Sequence, residues 1–194
     1  MRVLDVVDQD ESQNRALNMN EQVFIGLGSN VDHPEYGTPQ QQLVSAVQAI
    51  ADDPAVFDIE MSSLYSSSPM GPKNQPDYIN AVAHLRCNCS ADELLDKLQR
   101  IEQEFGRVRK SERWGPRTLD LDILLFDQQI IQSKRLTIPH YGMTEREFVL
   151  VPLFELAPDM VMPDGRPLAA WVSKCSFKGL RRLRSETQIE ETQT

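Results

Sequence analysis

In the segment Leu119-Asp120-Leu121-Asp122-Ile123-Leu124-Leu125-Phe126, a strongly apolar run is interrupted only by two aspartates. A short apolar run of this kind, following a cationic loop, reads as a strand buried in a sheet. A side-chain period of two sets Asp120 and Asp122 on one face, roughly 6 to 7 Å apart at Cα from a rise of ~3.3 Å per residue. Leu119, Leu121, Ile123 and Leu125 are expected on the other face. Two uncompensated charges in so apolar a strand are costly. The fold must therefore bring arginines or divalent cations to one face of this strand and a core to the other.

The strand is the last of a regular series. Gln22 to Ser29 is short, β-rich and ends in a turn at Ser29-Asn30. Thr38-Pro39 supplies a cap and a favourable first helical residue, and Leu43, Val47 and Ile50 recur at helical spacing until Asp52-Asp53-Pro54. Val56 to Ser66 and Tyr78 to Arg86 read as strands, the second alternating Tyr78, Asn80, Val82 and His84 against Ile79, Ala81, Ala83 and Leu85. The proline-rich stretch between them, from Ser67 to Asp77, is a loop of a length that suggests binding. Ser90-Ala91-Asp92-Glu93 is a capping box, and the stripe Leu94, Leu95, Leu98, Ile101 and Phe105 ends at Gly106. The order is βαββαβ, which predicts a ferredoxin-like α/β (α+β) fold: an antiparallel four-stranded sheet with both helices on one face and the other face open for a site. Extra C-terminal elements follow in Gln128 to Leu183, including helices over Phe148 to Ala157 and near Leu168 to Val172.

With 194 residues, the chain fits one catalytic domain over 21–183, between a polar, loosely held stretch at 1–20 and a polar tail at 184–194. A net charge of −9 argues against a nucleic-acid binder, so any anion site must be local. Cys87, Cys89 and Cys175 form neither a disulfide framework nor a zinc pattern, and free thiols in a reducing compartment follow. No signal-peptide pattern and no apolar run of membrane-spanning length is present, so a cytoplasmic monomer without membrane or nucleic-acid partners is the expectation.

Immediately before the aspartate strand, Arg107-Val108-Arg109-Lys110-Ser111-Glu112-Arg113-Trp114-Gly115-Pro116-Arg117 concentrates cations in an otherwise acidic chain. A charge run is usually a solvated loop, and the aspartates taken alone fit an arginine-paired network as well as a metal site. Together, carboxylates, a divalent metal and guanidinium forks suit a polyphosphate, with magnesium favoured over zinc by all-oxygen ligands. His140, Tyr141 and Arg146 follow a turn and are in reach of nucleotide phosphate or sugar, while Trp114 is either a core residue or a stacking ring. Gly26-Leu27-Gly28-Ser29-Asn30 lacks the dinucleotide and P-loop patterns. An ordinary kinase, a nucleotidyltransferase and an RNA-binding module remain alternatives at this level.

The signature from Arg107 to Asp122 resembles that of the 6-hydroxymethyl-7,8-dihydropterin pyrophosphokinase family of the folate pathway, and Gly28-Ser29-Asn30, Gln75 to Asn80 and Leu136 to Tyr141 resemble the same family in order. The resemblance implies transfer of a diphosphate from ATP to the pterin hydroxymethyl oxygen, with AMP released and two Mg2+ ions bound. It assigns both metals to Asp120 and Asp122, phosphate contacts to Arg107 and Arg117, and a closing catalytic loop to Arg109, Arg113 and Trp114. The nucleotide side would be Gln99, Glu102, Lys110, Arg113, Arg135, Thr137, His140, Tyr141 and Arg146. The pterin side would be Ser67, Met70, Tyr78, Asn80, Trp114 and Phe148, together with Asp120. The sequence departs from the family pattern at Ser68, where a proline is common.

Overall fold

A computed structural model describes residues 21–72, 74–106 and 115–184. Its central strand, β1 (Glu21–Ser29), buries Val23, Ile25 and Leu27 beneath two helices. The first of these, α1 (Pro39–Ala51), starts in a capping box formed by Thr38 and Gln41, with Pro39 as the first helical residue. Strands β2 (Val56–Met61), β3 (Tyr65–Ser67) and β4 (Tyr78–Cys87) come next. Helix α2 (Ala91–Glu104) begins in the reciprocal Ser90–Glu93 box and ends where Gly106 takes a φ of 73°. Strand β5 (Asp120–Phe126) completes the series. The order across the sheet is β5-β1-β4, with β2 and β3 both against β4, and every pairing is antiparallel. This is the ferredoxin-like arrangement. Ile79, Ala81, Ala83 and Leu85 pack with the helices, whereas Val82 faces the opposite side, as the alternation requires.

The structure corrects three expectations. The single strand expected over Val56 to Ser66 is broken at Ser62–Leu64 into β2 and β3. There, the Val82 amide of β4 donates to the Ser62 hydroxyl at 3.0 Å, so a side chain substitutes for ladder geometry and the strand turns away. The second correction falls on β5. Phe24 pairs with Leu125 but Ile25 pairs with Ile123, so Leu124 is an extra residue, a bulge. Below it, Leu121 and Ile123 join the helix-side core as expected. Beyond it, Leu125 is carried to the opposite face, where it packs with Leu124 and Phe24.

The third correction concerns the face expected to be bare. After β6 (Ile131–Gln132), β7 (Thr137–Ile138) and a 3-10 turn at Met143–Glu145, helices α3 (Glu147–Leu156) and α4 (Leu168–Val172) fold over it. Val149, Leu150, Leu153 and Leu168 cover Phe24, Val82, Leu124 and Leu125 in a second apolar cluster. Each such side chain removed from water contributes on the order of 1.5–3 kcal/mol, enough to hold short helices that could not persist alone. The face stays open around Gly26 and Gly28. A last short strand, β8 (Arg181–Arg182), extends the sheet beyond β3. None of the described helices is long and apolar enough to cross a membrane. The cysteines are free, with Cys87 buried and Cys89 and Cys175 partly so.

Candidate active site

Register places the site. Gly28 pairs with Asn80 on one side and Asp120 on the other, and Gly26 pairs with Val82 and Asp122. Two rows thus cross the sheet with a glycine in the middle of each. A Cβ built on Gly28 would lie 3.7 Å from the Asn80 Oδ1 and 4.0 Å from the Asp120 Cβ, so the absent side chains leave a trough between the amide and the carboxylates.

The trough is the floor of a cavity of about 230 Å³ whose lining includes Ser67, Met70, Tyr78, Asn80, Arg146 and Phe148. A second, larger cavity of about 780 Å³ lies toward α2 and β7 and is lined by Gln99, Glu102, Arg135 and Thr137 among others. Arg117, Asp122, His140 and Tyr141 belong to the walls of both. Asp120 lines only the smaller one. The two carboxylates differ accordingly: the side chain of Asp122 is 45% exposed, and that of Asp120 is 22% exposed and paired with the Arg117 guanidinium. Burial draws the Arg117 pKa down, but Asp120 more than offsets it, and the group stays cationic.

Arg117 is held by a residue that the sequence marked within the Gly28-Ser29-Asn30 motif without giving it a role. Buried Asn30 accepts the Arg117 N–H at 2.9 Å, and its own N–H donates to the Arg117 carbonyl at 3.1 Å. Its amide nitrogen donates to Gln75 Oε1 and the Pro76 carbonyl, both at 3.1 Å. One side chain therefore joins the end of β1, the loop before β4 and the arginine segment. The Tyr78 hydroxyl adds a second tie, donating to the Gly115 carbonyl at 2.9 Å, with its pKa raised by burial. Asn80, also buried, donates to the Ser67 hydroxyl at 2.9 Å, which fixes the rotamer of both.

The His140 backbone amide donates to the carbonyl of the bulged Leu124 at 2.9 Å, so the irregularity in β5 sets this histidine beside the carboxylates. Burial and then Arg146 push its pKa down to about 4, against the opposing pull of Asp120. The ring is neutral near pH 7. Its Nδ1 accepts the Gly142 N–H at 3.3 Å, leaving the proton on Nε2, which points to Asp122 Oδ2 at 3.9 Å. Behind β5, buried Glu102 accepts the Leu121 N–H at 2.8 Å and so ties α2 to the aspartate strand.

Residues 24–158 match the model of the 7,8-dihydro-6-hydroxymethylpterin-pyrophosphokinase (HPPK) family. The chain belongs to the HPPK family. The 2-amino-4-hydroxy-6-hydroxymethyldihydropteridine pyrophosphokinase of Haemophilus influenzae is 52% identical over 151 residues, covering 78% of this chain and 91% of that protein. Its counterpart in Pseudomonas aeruginosa is 47% identical over 165 residues, covering 85% and 98%. A crystal structure of Plasmodium falciparum HPPK-DHPS with pterin and p-hydroxybenzoate aligns with a TM-score of 0.58 at 10% identity, over 86% of this chain and 48% of that one, a likeness of fold alone. The family and its relatives make the chain a pyrophosphokinase of folate biosynthesis.

Among the residues expected to act in an HPPK, Ser67, Met70, Tyr78, Asn80, Phe148 and Arg146 meet at the smaller cavity, and Gln99, Glu102, Arg135 and Thr137 at the larger. Arg135 sits at the mouth, its guanidinium paired with Asp96 and 4.0 Å from Asp92. Tyr141 is 66% exposed and stacks at a tilt on His140, with the Arg146 guanidinium 5.8 Å from its ring centre. Arg107, Arg109, Lys110, Arg113 and Trp114 lie outside the described residues. Asn30, quoted in the sequence within the family-like Gly28-Ser29-Asn30 motif, was given no role there; its hydrogen bonds to the Arg117 backbone emerge only in the folded chain.

Proposed function

We propose that the smaller cavity takes 6-hydroxymethyl-7,8-dihydropterin, that the larger takes ATP, and that a diphosphate passes between them beside Asp122, leaving AMP. The observation that carries this reading is the shared wall: among the described residues, two cavities of different size and polarity share Arg117, Asp122, His140 and Tyr141. Tyr78 and Phe148 offer ring faces to a flat heterocycle, and Asn80 offers an amide edge. The larger cavity, the more polar of the two, suits a nucleotide carrying a triphosphate.

Among the described residues, no three or more His, Cys, Asp or Glu side chains converge as a ligand cluster. Asp120 and Asp122 form a two-carboxylate oxygen set, which fits magnesium, an ion that keeps water and phosphate oxygens as its other ligands. Two such ions, held by these aspartates, would offset phosphate charge and activate the hydroxymethyl oxygen for attack. Arg117, anchored through its backbone by Asn30, is placed to exchange its contact with Asp120 for a phosphate oxygen. His140 stays neutral and donates from Nε2 toward the same region, adding a hydrogen bond without a second cation. In-line attack on the β-phosphorus follows from approach out of the smaller cavity, with AMP departing into the larger. We further infer a soluble cytoplasmic monomer that meets neither nucleic acid nor membrane.

The test is mass analysis of products from ATP, magnesium and 6-hydroxymethyl-7,8-dihydropterin. AMP and pterin diphosphate in equal amounts are expected. ADP would make the enzyme an ordinary kinase, and free pyrophosphate would make it a nucleotidyltransferase.

A further inference from the structure

Walls of the smaller cavity come from segments far apart in sequence: the rim at Ser67, Ser68 and Met70 after β3, and Phe148 and Val149 at the start of α3. One carboxylate joins their supports. Glu155, near the other end of α3, accepts from the Tyr65 hydroxyl of β3 at 2.7 Å through Oε2. Its Oε1 accepts from the Ser63 hydroxyl at 2.7 Å, the Ser63 N–H at 3.2 Å and Arg182 Nη2 at 3.0 Å. Arg182 in turn donates from Nε and Nη2 to the Ser63 hydroxyl at 2.8 and 2.6 Å. The carboxylate thus gathers donors from β3, from Ser63 in the turn before it, and from β8.

Strand β8 grips the same rim at further points. The Leu183 N–H donates to the Leu64 carbonyl at 2.8 Å, and Arg181 Nη2 lies 3.6 Å from Asp77 Oδ2, next to Tyr78. The turn leading into β8 abuts the rim, because a Cβ on Gly179 would stand 3.6 Å from the Ser68 hydroxyl. Neither Glu155 nor Arg182 lines either cavity described above. Their contacts tie β3 and the turn before it to α3, the helix that carries Phe148 and Val149 into the cavity wall at its other end.

We propose that Glu155 and Arg182 are positioning residues for the pterin half of the reaction, setting the width of the smaller cavity without touching either substrate. The proposal rests on the assignment of that cavity to the pterin. A simple surface ion pair would not be expected to distinguish one substrate from the other; this network should, because the elements it joins, β3 and α3, line the smaller cavity and not the larger.

Steady-state kinetics on the full chain tests it, varying pterin and ATP separately. Glu155→Gln keeps the shape but loses the charge and one acceptor; it should raise KM for the pterin about 5- to 20-fold while kcat and KM for ATP stay within about twofold. Arg182→Ala, an exposed change that leaves the fold intact, should raise the pterin KM about threefold or more, and Arg182→Lys should recover part of the loss. If Glu155→Gln does not fold, the Arg182 pair decides alone. Parallel rises in both KM values, or no change in either, overturn the proposal. A wild-type enzyme that forms no AMP with the pterin removes the reading of the cavity itself, a result distinct from an active wild type whose variants behave like it.

Discussion

The two cavities that meet at Asp122 are built in different ways. The smaller rests on sheet register, with glycines for a floor and polar groups already hydrogen-bonded to protein: Asn80 to Ser67, and Tyr78 to Gly115. The larger is framed by α2 and the turns around β7, and its cation Arg135 lies at the surface against Asp92 and Asp96. A lining that is satisfied before ligand arrives fixes shape, which suits selection of one rigid heterocycle. A lining of long charged side chains, held by exposed ion pairs worth ~0–1 kcal/mol, exchanges partners easily and suits polyphosphate. On the proposed assignment of the cavities, selectivity for the acceptor and grip on the donor would rest on different physics within one site.

Substitution at the shared wall should have the largest effect. Asp122→Ala is expected to lower magnesium-dependent AMP formation by ~10³-fold or more while thermal unfolding is little changed, since its side chain is half exposed. Full activity in that variant would remove the metal assignment. Next comes the pre-built cavity: Asn80→Ala should cut kcat/KM for the pterin by ~10²-fold, with KM for ATP nearly constant, and lower stability by ~1–3 kcal/mol through loss of a buried hydrogen bond. Equal losses toward both substrates would erase the contrast between the cavities.

The wall also predicts a pH dependence. His140 has a folded pKa of about 4 against an ordinary 6.5, so between these values the unfolded chain binds a proton that the folded chain refuses. Stability at His140 is therefore full above about pH 6.5 and declines as pH falls toward 4, by about 2–3 kcal/mol at most, reduced by solvent screening. Denaturant midpoints measured from pH 7 to 4 should show this slope and lose it in His140→Gln; an unchanged slope means that the ring is not held neutral. The smallest effect is expected at the mouth of the larger cavity. Arg135→Ala should raise KM for ATP several-fold and leave the denaturant midpoint unchanged, and a variant that alters pterin KM instead would show that the two cavities are not separable.

How much of this was legible depended on the range of the interactions. The caps at Thr38 and Ser90 act within one helical turn, so local residues announced α1 and α2 correctly. The alternation along β4 and the lower half of β5 set Asn80, Asp120 and Asp122 on one face. The Leu124 bulge was not legible, because an extra residue in a uniform Leu-Leu run leaves every local preference satisfied and is decided by the pairing with β1. The cover of α3 and α4 over the open face had the same origin: each helix reads as apolar, but which surface it covers follows only from what β1, β4 and β5 leave unfilled.

By itself, then, the sequence determined the βαββαβ order and the aspartate pair on a common face, because short-range periodicity and capping carry that information, and its Arg107–Asp122 signature carried the resemblance to the family. Tertiary structure decided that Asn30 clamps Arg117 across a separation of 87 residues, that a bulge brings His140 beside Asp122, and that two cavities share one wall. Those are long-range hydrogen bonds and packing choices, and no local segment holds them until the sheet has chosen its register.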